Sequence, residues 1–180
     1  MPSLSPSKSG ARLNMARAFA INQQINGTTT VAKNLTNFSM AGWMRRTSTT
    51  LQAFGFTETN SHAAYIWHAS NNIIYFGVSN GAYTYSQATQ NVTGWNHWLF
   101  TFDGSQTGNS NRLKAYLNGV QLTLSFTGTV PSATSNNVAI EQFRIGRATY
   151  VNAWSTGDFA ELGMWQATLT AEEVASSPKG

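Results

Sequence analysis

Two neighbouring stretches, WNHWLFTFDG (residues 95–104) and LKAYLNGV (residues 113–120), predict the fold most directly. In the first stretch large apolar residues alternate with others, so Trp98, Phe100 and Phe102 share one face of a strand. The second stretch alternates in the same way up to Asn118-Gly119, a dipeptide typical of a tight β-hairpin turn. Together the two stretches predict antiparallel strands with one buried face.

The same pattern recurs along most of the chain. From Ala18 onward, short runs of alternating apolar residues are separated by clusters of turn residues, as in a β-sandwich. The predicted strands lie in residues 38–44, 50–56, 63–68, 73–78, 82–87, 95–102, 113–117, 120–124, 143–146 and 159–165. A helix is predicted only at Thr170-Ala-Glu-Glu173, a capping box that opens a short turn before Pro178. The sequence therefore predicts an all-β sandwich with one short C-terminal helical turn.

The composition agrees with an all-β chain and excludes several functions. Only 10% of the 180 residues are charged and 12% are aromatic, whereas about 25% of residues are charged in an average soluble domain. The net charge of +4 comes from 11 basic and 7 acidic residues that form no basic stripe. We therefore expect no nucleic-acid partner, while an anionic partner stays open. The chain has no cysteine, which excludes disulfides, cysteine metal sites and thiol catalysis.

The chain divides into two parts. Residues 1–17, MPSLSPSKSGARLNMAR, predict a flexible basic N-terminal arm, and residues 18–180 predict one folded domain. The arm shows no apolar segment typical of a secretory signal. No apolar run in the chain approaches the roughly 20 residues that cross a bilayer, so we expect no membrane insertion. The arm is either a disordered tail or a docking arm, and a docking arm predicts a homo-oligomer or a larger assembly.

Five stretches, in this order, resemble motifs of the laminin G-like members of the concanavalin A-like lectin/glucanase superfamily. They are residues 38–45 (FSMAGWMR), 95–104, 113–120, 143–147 (FRIGR) and 159–174 (FAELGMWQATLTAEEV). The resemblance implies a jelly roll of two antiparallel sheets packed face to face, one of them often concave. It implies no single function, because the same sandwich serves lectins, glycosidases, adhesion modules and virion proteins.

The acidic residues argue against an enzyme. Glycosidases of this superfamily hold two carboxylates at the scissile bond, and the Glu-x-Asp-x-x-Glu motif of the retaining glucanases is missing from this sequence. A serine-hydrolase triad is not supported either. The sequence contains three histidines, His62, His68 and His97, but no Gly-x-Ser-x-Gly motif that would hold a nucleophilic serine. We therefore predict no catalytic residue.

We also predict no cofactor and no metal site. Calcium takes six to eight oxygen ligands, several of them from carboxylates, and no Asp-x-Asp cluster occurs in the chain. The alternative is a weak calcium site, either at Asp103 with Asn109 or Asn111, or at Asp158 with backbone carbonyls.

The candidate ligand-binding residues are aromatic and basic residues outside the predicted core. They are Trp154, Tyr150, Arg147, Tyr83, Tyr85 and Trp67. Aromatic rings suit the apolar faces of sugars, and arginine suits their polar groups. The alternative is that Trp154 folds back as a lid over the sandwich edge and that Tyr83 and Tyr85 are ordinary half-exposed strand residues. The other tryptophans, Trp43, Trp95, Trp98 and Trp165, are predicted to pack in the core or on the sheets.

The sequence favours two functions, both of them non-catalytic. The first is a decoration protein on the surface of a virus or phage particle, which engages glycans and assembles through the basic arm. The second is a stand-alone lectin-like module that binds carbohydrate, and a glycoside hydrolase is the weakest alternative. These functions predict a virion or an extracellular surface as the location, with a glycan as the candidate ligand.

Overall fold

The computed structural model describes residues 17–20, 22–46, 50–59, 61–148 and 153–176. Its strands are β1 (Arg17–Phe19), β2 (Ile25–Thr28), β3 (Asn37–Arg46), β4 (Gln52–Thr59), β5 (His62–His68), β6 (Ile73–Asn80), β7 (Tyr85–Thr89), β8 (Gly94–Asp103), β9 (Leu113–Leu117), β10 (Val120–Gln121), β11 (Ser125–Thr127), β12 (Gln142–Ile145), β13 (Arg147–Ala148), β14 (Ala153–Trp154) and β15 (Gly157–Trp165). Two short α-helices, α1 (Asn109–Arg112) and α2 (Ala171–Ala175), and a 3-10 helix (Val138–Glu141) complete the elements.

The strands form a two-layer antiparallel sandwich, which confirms the predicted fold. One sheet has six strands in the order β1-β15-β3-β8-β9-β10, and the other has seven in the order β11-β7-β6-β5-β4-β12-β2. A small third sheet pairs β13 with β14. Arg17, which was predicted to end the arm, is the first residue of β1 and pairs with Phe159 at the edge of the six-stranded sheet. Residues 1–16 lie outside the described part of the chain.

Aromatic side chains fill the space between the two sheets. Trp98 is 1% exposed, and it lies on the inner face of β8 with Phe100 and Phe102, as the alternation predicts. Phe38 of β3 packs edge-on against Phe100, with ring centroids 5.4 Å apart. Phe76 reaches Phe100 from the opposite sheet, with ring centroids 6.0 Å apart. These contacts join the two layers.

Helix α2 was predicted from the sequence, whereas helix α1 was not. Thr170 and Glu173 form the predicted capping box at the start of α2. Val174 of α2 then packs against Ala41 and Leu99 on the outer face of the six-stranded sheet. The single turn α1 was not predicted, because it lies in a loop whose polar residues show no helical period.

A buried polar pair occupies the inner face near one end of the sandwich. Arg46, which is 3% exposed, lies with its Nη1 2.6 Å from His68 Nε2, and His68 is fully buried. Burial first, and then the charge of Arg46, lowers the pKa of His68 to about 4, although the carbonyl oxygen of Gln90 acts in the opposite direction. Burial also lowers the pKa of His97 to about 4. Both histidines are therefore neutral in the folded protein near neutral pH.

We predict that the protein loses stability in mild acid because of these histidines. Each has a folded pKa of about 4, which lies below the unfolded value of about 6.5. The unfolded chain therefore takes up protons first as the pH falls. Above about pH 6.5, protonation of these histidines should not affect the free energy of unfolding. Toward pH 4, it should lower the free energy of unfolding by up to ~3 kcal/mol per histidine. Urea unfolding of the wild type and of His68→Gln across this range tests the prediction, and parallel profiles would contradict it.

Candidate functional site

The side chains that alternate with the core residues cover the outer face of the seven-stranded sheet. Strand register places Ala53, Trp67, Tyr75 and Gln87 in one row across β4, β5, β6 and β7. The adjacent row, across β4, β5 and β6, consists of Gly55, Tyr65 and Gly77. Large aromatic residues thus stand on this face beside glycine and alanine.

Four aromatic residues form a continuous series here, which we term the aromatic row: Trp67, Tyr75, Tyr85 and Tyr83. Trp67 and Tyr75 are stacked, with ring centroids 4.7 Å apart and an interplanar angle of 20°. Tyr75 meets Tyr85 edge-on at 5.5 Å, and Tyr85 lies 5.0 Å from Tyr83. Tyr83 is 40% exposed, and the other three are half-buried. The aromatic row therefore presents ring surface to solvent while its members support one another.

Gly77 leaves room for a further aromatic ring, that of Tyr65, on the same face as the aromatic row. The ring of Tyr65, which is 3% exposed, lies directly over Gly77, so a Cβ there would overlap with the Tyr65 ring. Burial first, and then the neighbouring Tyr85, raises the pKa of both Tyr75 and Tyr83. Their hydroxyl groups therefore remain protonated near neutral pH and can both donate and accept hydrogen bonds.

Arg147 and Trp154 form a second group. They are directly opposite each other in the β13–β14 pair, and the guanidinium carbon lies 4.7 Å from the Trp154 ring centroid, a cation–π contact. Gly146 N donates to the carbonyl oxygen of Ala53, and Ala53 N donates to Ser155 Oγ, each at 2.9 Å. Ala53 is the register partner of Trp67. These hydrogen bonds therefore anchor the Arg147–Trp154 pair at the Trp67 end of the aromatic row.

The structure thus brings most of the predicted ligand-binding residues into two groups. Trp67, Tyr83 and Tyr85 belong to the aromatic row, and Arg147 contacts Trp154. Tyr150 lies outside the described residues. Tyr75, which stacks on Trp67, was not among the predicted residues. Strand alternation could have found it, because Tyr75 lies between the core residues Ile74 and Phe76 and must point outward.

Three carboxylates of the described residues are engaged elsewhere. Asp158 pairs with Arg45, and Glu141 pairs with Lys33 at 2.7 Å. Asp103 accepts hydrogen bonds from Ser105 and Gln106 in its own turn. The strands of the aromatic row, β5, β6 and β7, contain no Asp or Glu. Within the described ranges, no three His, Cys, Asp or Glu residues lie close enough to hold a metal ion.

One tryptophan predicted for the core or the sheet surface lies exposed on the opposite side of the molecule. Trp95 is 37% exposed, and the Arg45 guanidinium lies 5.6 Å from its ring centroid. Arg45 pairs with Trp95 across the six-stranded sheet, on its outer face. Trp98 is the tryptophan that the core contains.

Comparison with known proteins identifies relatives of this fold. A sequence profile described as the concanavalin A-like lectin/glucanases superfamily matches residues 21–175. No curated protein matches the chain. Where the chain has been described, no helix is long and apolar enough to cross a membrane.

Several solved structures are similar in fold at low sequence identity. The NanB sialidase of Streptococcus pneumoniae superposes with a TM-score of 0.72 and 12% identity over 95% of this chain, which spans only 28% of the sialidase chain. Domain 4 of the extracellular GH43 arabinanase AbnA of Geobacillus stearothermophilus, solved with arabinotriose, gives a TM-score of 0.61 and 19% identity over 93% of this chain and 80% of that domain. The heptameric SAP-like pentraxin of Limulus polyphemus gives 0.57 and 12% identity, over 88% of this chain and 77% of its own.

Substitution of Gly77 tests how the aromatic face is built. Gly77→Ala should lower the free energy of unfolding by about 1–3 kcal/mol, because the buried Tyr65 ring must move to admit the methyl group. Gly27→Ala in β2 is the matched control, because no atom lies within 4 Å of the added Cβ. Chemical denaturation of both variants measures the difference, and equal stabilities would contradict the packing described.

Proposed function

The chain belongs to the concanavalin A-like lectin/glucanases superfamily, and from this premise we propose that it is a non-catalytic module that binds glycans through the aromatic row. The observation that carries the proposal is the stacked, half-buried pair of Trp67 and Tyr75, extended by Tyr85 and Tyr83. A pyranose ring has an apolar face of C–H groups, which packs favourably on an aromatic surface.

The neighbouring polar groups suit the hydroxyls of the same ligand. Gln87 is the register partner of Tyr75 and is half-buried, so its amide lies beside the rings. The hydroxyl groups of Tyr75 and Tyr83 supply further donors and acceptors. Arg147 and Trp154, anchored at the Trp67 side, extend the surface beyond one ring. A row of this length favours an oligosaccharide over a single sugar.

The residues at this face support non-catalytic binding. Glycoside hydrolysis needs two carboxyl groups that flank the scissile bond, whereas β5, β6 and β7 contain no acidic residue. The similar structures include a sialidase and a domain of an arabinanase that was solved with arabinotriose. The arabinanase domain supports sugar binding by this fold. The sialidase gives no ground for hydrolysis here, because this chain spans 28% of it.

A glycan array followed by calorimetry tests the proposal. We expect the wild type to bind at least one oligosaccharide, in the presence of EDTA because the proposed site uses no metal. Trp67→Ala should weaken that binding by ~1–3 kcal/mol, the effect of losing an aromatic anchor. Trp154→Ala should weaken it in the same direction.

Trp95→Ala is the matched control for these variants. It removes a half-exposed tryptophan from the opposite face, so it should leave the affinity unchanged. Equal losses in Trp67→Ala and Trp95→Ala would contradict a site at the aromatic row. An array without any bound glycan would contradict glycan binding itself.

We propose a more specific role as a second candidate: decoration of a virus or phage particle, or of another extracellular surface, through residues 1–16. The observation that favours it is the position of β1. Among the described residues, Arg17–Phe19 forms an edge strand of the six-stranded sheet, so the basic N-terminal segment with Lys8 and Arg12 is joined to the domain at this edge strand. Such an edge can accept a strand from a neighbouring subunit.

Removal of residues 1–16 tests the assembly role. We expect the full chain to form oligomers or to attach to a larger particle, and the shortened chain to be monomeric, because the joining segment is gone. Light scattering after size-exclusion chromatography measures both masses. A full chain that is monomeric, or a shortened chain that still assembles, would contradict the role of the arm.

A further inference from the structure

A polar cleft lies on the outer face of the six-stranded sheet, away from the aromatic row. Its volume is about 360 Å³, and its lining includes Thr101, Asp103, Arg112, Lys114, Tyr116 and Gln121. Thr101, Lys114 and Tyr116 alternate with the core residues Phe102, Leu113 and Ala115, and therefore point outward. The volume falls within the range of about 300–1,000 Å³ typical of small-molecule sites.

Hydrogen bonds hold the walls of this cleft in place. Asp103 accepts from Ser105 Oγ at 2.6 Å and from Gln106 Nε2 at 3.0 Å. Arg112 donates from Nε to the carbonyl oxygen of Gln106 at 2.7 Å and from Nη1 to that of Val130 at 2.6 Å. A ligand would therefore meet polar groups whose positions are already set.

The charge balance of the cleft favours an anion. Two cations, Arg112 and Lys114, face one carboxylate, Asp103, and the oxygens of that carboxylate already accept bonds from Ser105 and Gln106. Arg112 keeps its Nη2 group after these two bonds. The hydrogen bond from Ser105 lowers the pKa of the Asp103 carboxyl most, and the nearby charge of Lys114 lowers it further, so Lys114 faces Asp103 across the cleft. The cleft thus offers more cationic donors than its own acceptors use.

The same cleft has an apolar side. Tyr116 packs against the cluster of Ala41, Leu99 and Val174, and Leu169 contributes both to that cluster and to the lining. An aromatic ring beside a cationic wall suits a ligand with an apolar ring face and an acidic substituent.

We infer that this cleft binds an acidic sugar through its carboxylate or sulfate group, as a second ligand site independent of the aromatic row. Lys114 and Arg112 hold the anionic group, and the Tyr116 ring borders the pyranose. A module with both sites engages glycans on two opposite faces.

Chemical-shift mapping on the full chain tests the inference directly. The probes are glucuronic acid, galactose 6-sulfate, neutral methyl glucoside and inorganic sulfate. The acidic sugars should shift the backbone amides of Lys114 and Gln121, while methyl glucoside should not shift them at the same concentration. The two acidic probes distinguish a carboxylate ligand from a sulfate ligand. If neither shifts these amides, or if methyl glucoside or inorganic sulfate shifts them equally, the inference is overturned.

Variants then assign the effect to the cleft. Lys114→Met should weaken binding of the acidic sugar by about tenfold or more, as expected for the loss of a charge-assisted hydrogen bond, and should reduce its dependence on salt. Lys8→Met removes the same charge from the N-terminal arm and should change nothing. Trp67→Ala should also leave this binding intact. If Trp67→Ala abolishes it and Lys114→Met does not, the acidic sugar binds at the aromatic row, which overturns the inference and leaves the proposed function standing.

Discussion

The contact of aromatic side chains between the two sheets is the constraint on which the rest of this structure depends. Phe38 and Phe76 reach Phe100 from different strands and opposite layers. Because side chains of a strand alternate between its two faces, placing these rings inside forces the intervening residues outward. Packing of the core therefore determines which residues lie on the outer faces. The candidate binding residues are among these outward-pointing residues.

Register links the aromatic row to the core in the same way. Trp67 stacks on Tyr75 because β5 and β6 pair these two residues directly. A slip of one residue would turn Trp67 into the core and Ile66 to solvent. Gly77 adds a steric requirement, since only a residue without Cβ leaves room for the Tyr65 ring above it. Stability and the shape of the proposed binding face thus rest on the same strand pairing, so substitutions on this face act on both.

The two outer faces differ in their chemistry. The seven-stranded sheet carries the aromatic row on strands without acidic residues, whereas the six-stranded sheet carries a cleft with Arg112, Lys114 and Asp103. Aromatic surface gains from burial of apolar area and is insensitive to salt, while the cleft acts through charges that salt screens. The dependence of ligand affinity on ionic strength therefore distinguishes binding at one face from binding at the other. The cleft holds charges of both signs, so several charged residues can lie together there without a strong net electrostatic field.

The sequence by itself determined the ten strands β3 to β10, β12 and β15, the Asn-Gly turn at residues 118–119, the capping box at Thr170 and the inward face of β8, because these follow from local periodicity and turn chemistry. It did not predict the short strands β1, β2, β11, β13 and β14. It also supplied Trp67, Tyr83 and Tyr85 as candidates. Only the tertiary structure decided that Tyr75 completes the aromatic row, that Trp95 lies exposed, and that Lys114 faces a cleft. Periodicity tells which residues share a face, but it does not tell which strands become neighbours. That choice depends on pairings between residues distant in sequence, such as β3 with β15 and β4 with β12.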